Sequence, residues 1–73
     1  MKENTIHFIN SYIAKKFDDD IFIGLIINYK GEFWHVEYKD GDKEDFDVIE
    51  LKKGIQLYNF VKKKMIYLYL FRQ

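Results

Sequence analysis

The sequence predicts an all-β fold: a small five-stranded barrel with short helical or strand extensions at both termini. Three observations carry this expectation. Residues 21–29 (IFIGLIINY) form a β-branched and aromatic run of strand length. Residues 33–38 (FWHVEY) alternate, placing Trp34, Val36 and Tyr38 on one face and Phe33, His35 and Glu37 on the other. Each run ends in a short glycine-bearing turn, Lys30-Gly31-Glu32 and then Lys39-Asp40-Gly41-Asp42. A short, strongly twisted meander of such strands curls into a barrel.

The 73 residues have room for one domain. A core of that size is marginal without a staple, and there is no cysteine to supply one. Dense apolar packing or association must compensate, and an apolar content of 48% with 19% aromatics favours packing. Ile6, Ile9 and Ile13 fall at helical spacing within residues 4–14, with Phe8 and Tyr12 alongside and Asn4 or Thr5 as a cap. Residues 13–17 read equally well as a first strand. Asp18-Asp19-Asp20 is an acidic turn. The following strand is apolar on both sides, with Phe22, Gly24 and Ile26 on one and Ile21, Ile23, Leu25 and Ile27 on the other. A barrel buries only one face, so the amphipathic ends are expected to cover the outside. Gly24 is expected to let the strand bend as the barrel closes. Residues 44–48 read as a short fourth strand, and Ile49-Glu50-Leu51 as a tight helical turn before Lys52-Lys53-Gly54. Beyond it, Ile55, Tyr58 and Val61 suit a helix, while residues 65–71 (MIYLYLF) suit a buried strand better. The expected division is an N-terminal extension over 1–10, the barrel over 11–58, and a basic, apolar extension over 59–73.

The formal net charge is zero but unevenly distributed. Residues 17–50 hold eleven acids and three bases, a net −8, and the remainder is correspondingly basic. The middle of the chain should attract cations and repel phosphate backbones. The lack of cysteine excludes disulfides and thiolate zinc sites, and fits an intracellular setting. One serine, one threonine and two histidines, His7 and His35, supply no nucleophile–base constellation, so no enzyme is expected. No cofactor is expected, because the glycines form no phosphate loop. Asp40, Asp42 and Glu44 resemble the first half of a calcium loop, but the positions needing glycine and a distal glutamate hold Asp45 and Leu51. Neither metal nor membrane is expected, the longest apolar run being seven residues against the roughly 20 of a membrane helix.

Residues 22–26 (FIGLI) read aromatic-x-Gly-x-aliphatic, residues 34–45 (WHVEYKDGDKED) read W-x-V-x-Y-x-DGD-x-ED, and Glu50-Leu51 supplies an acidic–Leu pair. Over residues 17–51 the chain thereby resembles the Tudor branch of the SH3-like Royal barrels, in particular the Tudor-like domains of plant and protist chromatin regulators. The resemblance implies a non-enzymatic module that holds methylated lysine or arginine in an aromatic cage. By position the cage would be Phe17, Phe22, Tyr38 and Phe46, with Asp40 as an acidic wall and Trp34 in the core. Aromatic faces attract a quaternary ammonium through their quadrupoles. The implied partner is a cationic, histone-tail-like protein segment, and the implied location is nuclear if the source is eukaryotic. Two alternatives stand beside it. One is an assembly module whose apolar tails mediate homodimerisation. The other is a nucleic-acid-binding SH3-like barrel using Lys15, Lys16, Lys52, Lys53 and Lys62 to Lys64, against which the −8 centre argues.

Overall fold

A computed structural model describes residues 7–71, with side chains through Met65. Four strands are followed by one helix: β1 (Tyr12–Phe17), β2 (Asp20–Lys30), β3 (Phe33–Tyr38), β4 (Lys43–Phe46) and α1 (Val48–Phe71). The strands form an antiparallel meander in the order β1-β2-β3-β4. Turn chemistry sets the register. Gly31 and Glu32 both have positive φ, 62° and 68°. That is the pattern of a two-residue hairpin turn whose twist matches the flanking strands. Asp18, with φ 54°, serves the β1–β2 hairpin, and Gly41, with φ 96°, the turn into β4.

The expected fifth strand and closed barrel do not form among the described residues. The chain after Phe46 is helical because Asp47 and Glu50 make a reciprocal cap. The Glu50 N–H donates to Asp47 Oδ1 at 2.8 Å, and the Asp47 N–H donates to Glu50 Oε1 at 3.0 Å. Two otherwise orphaned helix-end donors are satisfied at once. The helix does not stop before Lys52, where a single turn was expected. It runs through residues 65–71, which suited a buried strand better but whose periodicity left strand and helix open. No proline interrupts it, and Lys, Leu, Gln and Met keep the propensity high once nucleation is achieved. Asp47→Ala should cost about 1 kcal/mol. That is a fall of about 4–8 °C in the thermal midpoint of a domain this size, measurable by circular dichroism.

At the N-terminus the helical reading of residues 4–14 gives way to a single 3₁₀ turn at His7 and Phe8, followed by β1. The Ser11 N–H bonds back to the Phe8 carbonyl at 3.0 Å, and Asn10, with φ 73°, redirects the chain into the strand. Ile6 and the expected caps, Asn4 and Thr5, lie outside the described residues.

The sheet curls around Ile13, Ile26, Trp34, Val36, Tyr38, Phe46 and Leu51. A bulge between Ile26 and Asn28 makes this possible. It shifts the parity of β2, so Gly24 and Ile26 before it and Tyr29 after it face the same side. The Tyr29 and Trp34 rings lie 4.5 Å apart, and Phe8 meets Trp34 edge-on at 6.3 Å. Gly24 is dictated by space as well as bending. A Cβ there would lie 2.6 Å from Val36 Cγ1, a stiff, fully buried side chain.

The helix takes the position between the two sheet edges. A Cβ on Gly54 would come within 3.0 Å of Ile13 Cβ on β1 and 3.3 Å of the Phe46 ring on β4. Tyr58 packs on Tyr12, with ring centroids 5.6 Å apart. The described parts of the ends do not cover the outer face of β2, contrary to expectation, and Ile21, Ile23 and Ile27 remain exposed. No helix among the described residues is long and apolar enough to cross a membrane.

Candidate ligand-binding site

Strand alternation builds the site at the open end of the concave face. Lys15 and Phe17 follow Ile13 at two-residue steps and so share its face. Register places Phe22 opposite Lys15 and Asp20 opposite Phe17. Tyr38 stands opposite Gly24, whose missing side chain gives the tyrosine ring room: a Cβ there would lie 3.1 Å from Tyr38 Cδ1. Asp40 is held in the β3–β4 turn, where its Oδ1 accepts the Asp42 N–H at 3.0 Å.

Four of the five sequence-predicted residues converge. Phe17, Phe22, Tyr38 and Asp40 line one hollow of about 340 Å³, with Asp42 and Glu44 adding further carboxylates. Phe17 and Phe22 meet edge-on at 5.5 Å. Phe22 is 41% exposed, whereas Tyr38 is 8% exposed and belongs as much to the core. The fifth residue, Phe46, is 2% exposed and does not line the hollow, lying instead under the first turns of α1.

Two residues that the sequence reading did not place in the site bear on it: Glu44 lines the hollow, and Lys15 reaches Glu44 and the Phe17 ring from beside it. The Lys15 ammonium lies 4.9 Å from the Phe17 ring centroid and 5.4 Å from that of Phe46. It donates to Glu44 Oε2 at 2.6 Å, while the Tyr38 hydroxyl donates to Glu44 Oε1 at 2.7 Å. Lys15 is on β1 and Glu44 on β4, so this ion pair ties the two sheet edges that no backbone ladder joins. The signal for Lys15 was its spacing two residues before Phe17 on one strand face. The signal for Glu44 was its place beside Tyr38 across a four-residue turn.

The electrostatics follow from this geometry. Burial, reinforced by the bond to the Glu44 carboxylate, pushes the Tyr38 hydroxyl far above the usual tyrosine range. Burial also pushes Glu44 up, but the hydrogen bonds from Lys15 and Tyr38 outweigh it and hold the carboxyl below its ordinary value. A depressed folded-state value means that the linkage stabilises the fold above the ordinary glutamate range. Its contribution is lost as pH falls through the depressed value. On the opposite face His35 Nδ1 pairs with Asp45 Oδ1 at 2.5 Å, away from the hollow. No group of three potential metal-ligating side chains converges among the described residues.

An antiparallel meander capped by a helix, with an acidic, aromatic hollow at one end, has the form of a small binding module. The chain belongs to the PTM/DIR17-like Tudor domain family, which it matches over residues 11–55. It is 35% identical over 51 residues to the DDT domain-containing protein PTM of Arabidopsis thaliana. That match takes in 68% of this chain but spans only 3% of the plant protein's length. No solved structure matches the chain.

Proposed function

We propose that this Tudor domain is a non-enzymatic reader of a cationic protein segment, and that it holds a methylated lysine or arginine between Phe17, Phe22 and Tyr38 with Asp40 as the acidic wall. The observation that carries this reading is the Lys15 ammonium, already seated against the Phe17 and Phe46 rings and paired with Glu44. The hollow's Phe17 ring and Glu44 carboxylate already receive the protein's own ammonium from beside it, so they have the electrostatic character to receive another. A trimethylated ammonium, large and weakly hydrated, would gain from the ring faces of Phe17 and Phe22. A lower methylation state would donate its remaining N–H to Asp40 or Asp42. The −8 charge of residues 17–50 would gather basic segments from a distance. A chromatin setting, and with it a nuclear location, accords with the family and with the plant relative.

The deciding experiment is a two-dimensional NMR titration with histone-tail peptides in trimethylated, dimethylated and unmodified forms. Shifts centred on Phe17, Phe22, Tyr38 and Asp40, and only with methylated peptides, are expected. A well-dispersed spectrum unmoved by every peptide would end the proposal. It would bring forward the assembly reading, which the exposed Phe60 and Met65 on α1 favour and which light scattering tests.

Lys15→Met gives a more pointed expectation. It removes the resident cation while keeping the aliphatic stem. Affinity for a trimethyllysine peptide should rise by about 1 kcal/mol, roughly fivefold by calorimetry. Stability should fall by only about 0.5–1 kcal/mol, because the Lys15–Glu44 pair is about one-third exposed. Unchanged affinity would place the ligand away from Phe17 and Glu44.

A further inference from the structure

Strand β2 outruns its neighbour on one side. β1 pairs with it from Leu25 down to Asp20, but pairing with β3 ends where Gly24 meets Tyr38. Beyond that point the chain turns toward β4. The Tyr38 N–H bonds to the Asp42 carbonyl and the Gly41 N–H to the Tyr38 carbonyl, so residues 39–42 do not continue alongside β2. The stretch from Asp20 to Ile23 is therefore laddered on one edge only.

The direction of the backbone groups on that stretch follows from the ladder. The Ile26 N–H donates to the Ser11 carbonyl, on the β1 side. In an antiparallel ladder successive residues bond to alternate sides. Gly24 and Phe22 accordingly point toward β1. Leu25, Ile23 and Ile21 point the other way, and only Leu25 has a β3 residue opposite it, Glu37. Ile21 and Ile23 thus present their N–H and C=O groups to a groove of about 830 Å³. Its walls include Tyr12, Leu25, Glu37, Lys39 and Asp40. Phe22, Tyr38 and Asp40 line both this groove and the aromatic hollow.

We infer that the free edge of β2 at Ile21–Ile23 receives an extended, basic segment of a partner protein as an added strand, in line with β3. Backbone hydrogen bonds to Ile21 and Ile23 would fix the segment's register, and alternate side chains would rest on the exposed isoleucines. Because the groove and hollow share Phe22, Tyr38 and Asp40, a cationic side chain leaving that strand would enter the cage. To that extent the inference rests on the function proposed above. Charge selects the occupant. Glu37 and Asp40 border the groove, and exposed Asp18, Asp19 and Asp20 lie at the hairpin end of the edge. A second copy of this chain, pairing edge to edge, would set those same acids against their equivalents, which disfavours self-association there.

The test is amide hydrogen exchange of the whole chain by NMR, with methylated and unmodified histone-tail peptides as probes. The Ile21 and Ile23 amides, open in the free protein, are expected to slow by about tenfold or more with bound peptide, while Phe22, already bonded to β1, changes little. A peptide with N-methylated backbone amides flanking its methyllysine should lose both the protection and most of its affinity. Shifts at Phe17, Phe22 and Tyr38 without slowing at Ile21 and Ile23 would overturn strand addition and leave the cage reading intact. Slowing without cage shifts would support strand addition and remove the cage. Neither response, with any peptide, would overturn both. Protection that grows with protein concentration and no peptide would assign the edge to a second copy and overturn the inference.

Discussion

Leu51→Ala should lower the unfolding free energy by about 3 kcal/mol, within the range for burying an alanine where a leucine packed. Leu51 is 0% exposed and is the helical member of the core cluster, packed in one cluster with Ile13 and Phe46 from the two sheet edges. Its backbone belongs to the first helical turn, with the N–H donating to the Asp47 carbonyl at 2.9 Å. A domain of this length has about 4–10 kcal/mol in total, so one truncation would remove a third or more of it. Urea denaturation would read the change as a lower midpoint. Ile49→Ala, two residues earlier on the exposed side of the same turn, should stay within about 0.5 kcal/mol of the parent. If Leu51→Ala costs no more than Ile49→Ala, the helix is not docked through its first turn, and the account of how the open sheet is sealed fails.

The β-meander was legible because its signals are local. The alternation in FWHVEY separates Trp34, Val36 and Tyr38, all buried, from Phe33, exposed, and His35 and Glu37, half-buried, as the structure does. The turn glycines likewise sit at positive φ, Gly31 and Gly41. The end of the chain was not legible by the same means. Residues 65–71 are apolar at every position, and a run without periodicity cannot distinguish a buried strand from a helix. The signal that decides it lies eighteen residues upstream, in Asp47-x-x-Glu50, an acidic capping box that initiates α1. Closure was misjudged for a related reason. A helix between β1 and β4 replaces the fifth strand, and Gly54 is small enough to let it approach Ile13 and Phe46. The aromatics and Asp40 of the candidate site were nameable from family resemblance. Spacing put Lys15 on the same strand face as Phe17, but its pairing was not legible, because its partner Glu44 is 29 positions away and the two meet only when the sheet curls.

Phe22→Ala is the substitution expected to weaken ligand binding most for the least structural damage. Within the candidate cage Phe22 is 41% exposed and rests against Phe17, which is itself exposed, so its removal opens little core. The expected loss of affinity for a trimethyllysine peptide is about 2 kcal/mol, roughly thirtyfold, because a desolvated ring face opposite a quaternary ammonium is removed. The expected loss of stability is about 1 kcal/mol or less. Tyr38→Ala would not separate the two effects. Tyr38 is a core residue bonded to Glu44, and truncating it would cost about 3 kcal/mol or more in folding. Tyr38→Phe is the useful companion: it keeps the ring and releases the Glu44 carboxylate from one donor. If the cage operates, Tyr38→Phe should retain most of the binding that Phe22→Ala loses. If calorimetry and urea titration show Phe22→Ala losing stability and affinity in equal measure, Phe22 is a packing residue, and the hollow it lines is not where the ligand is recognised.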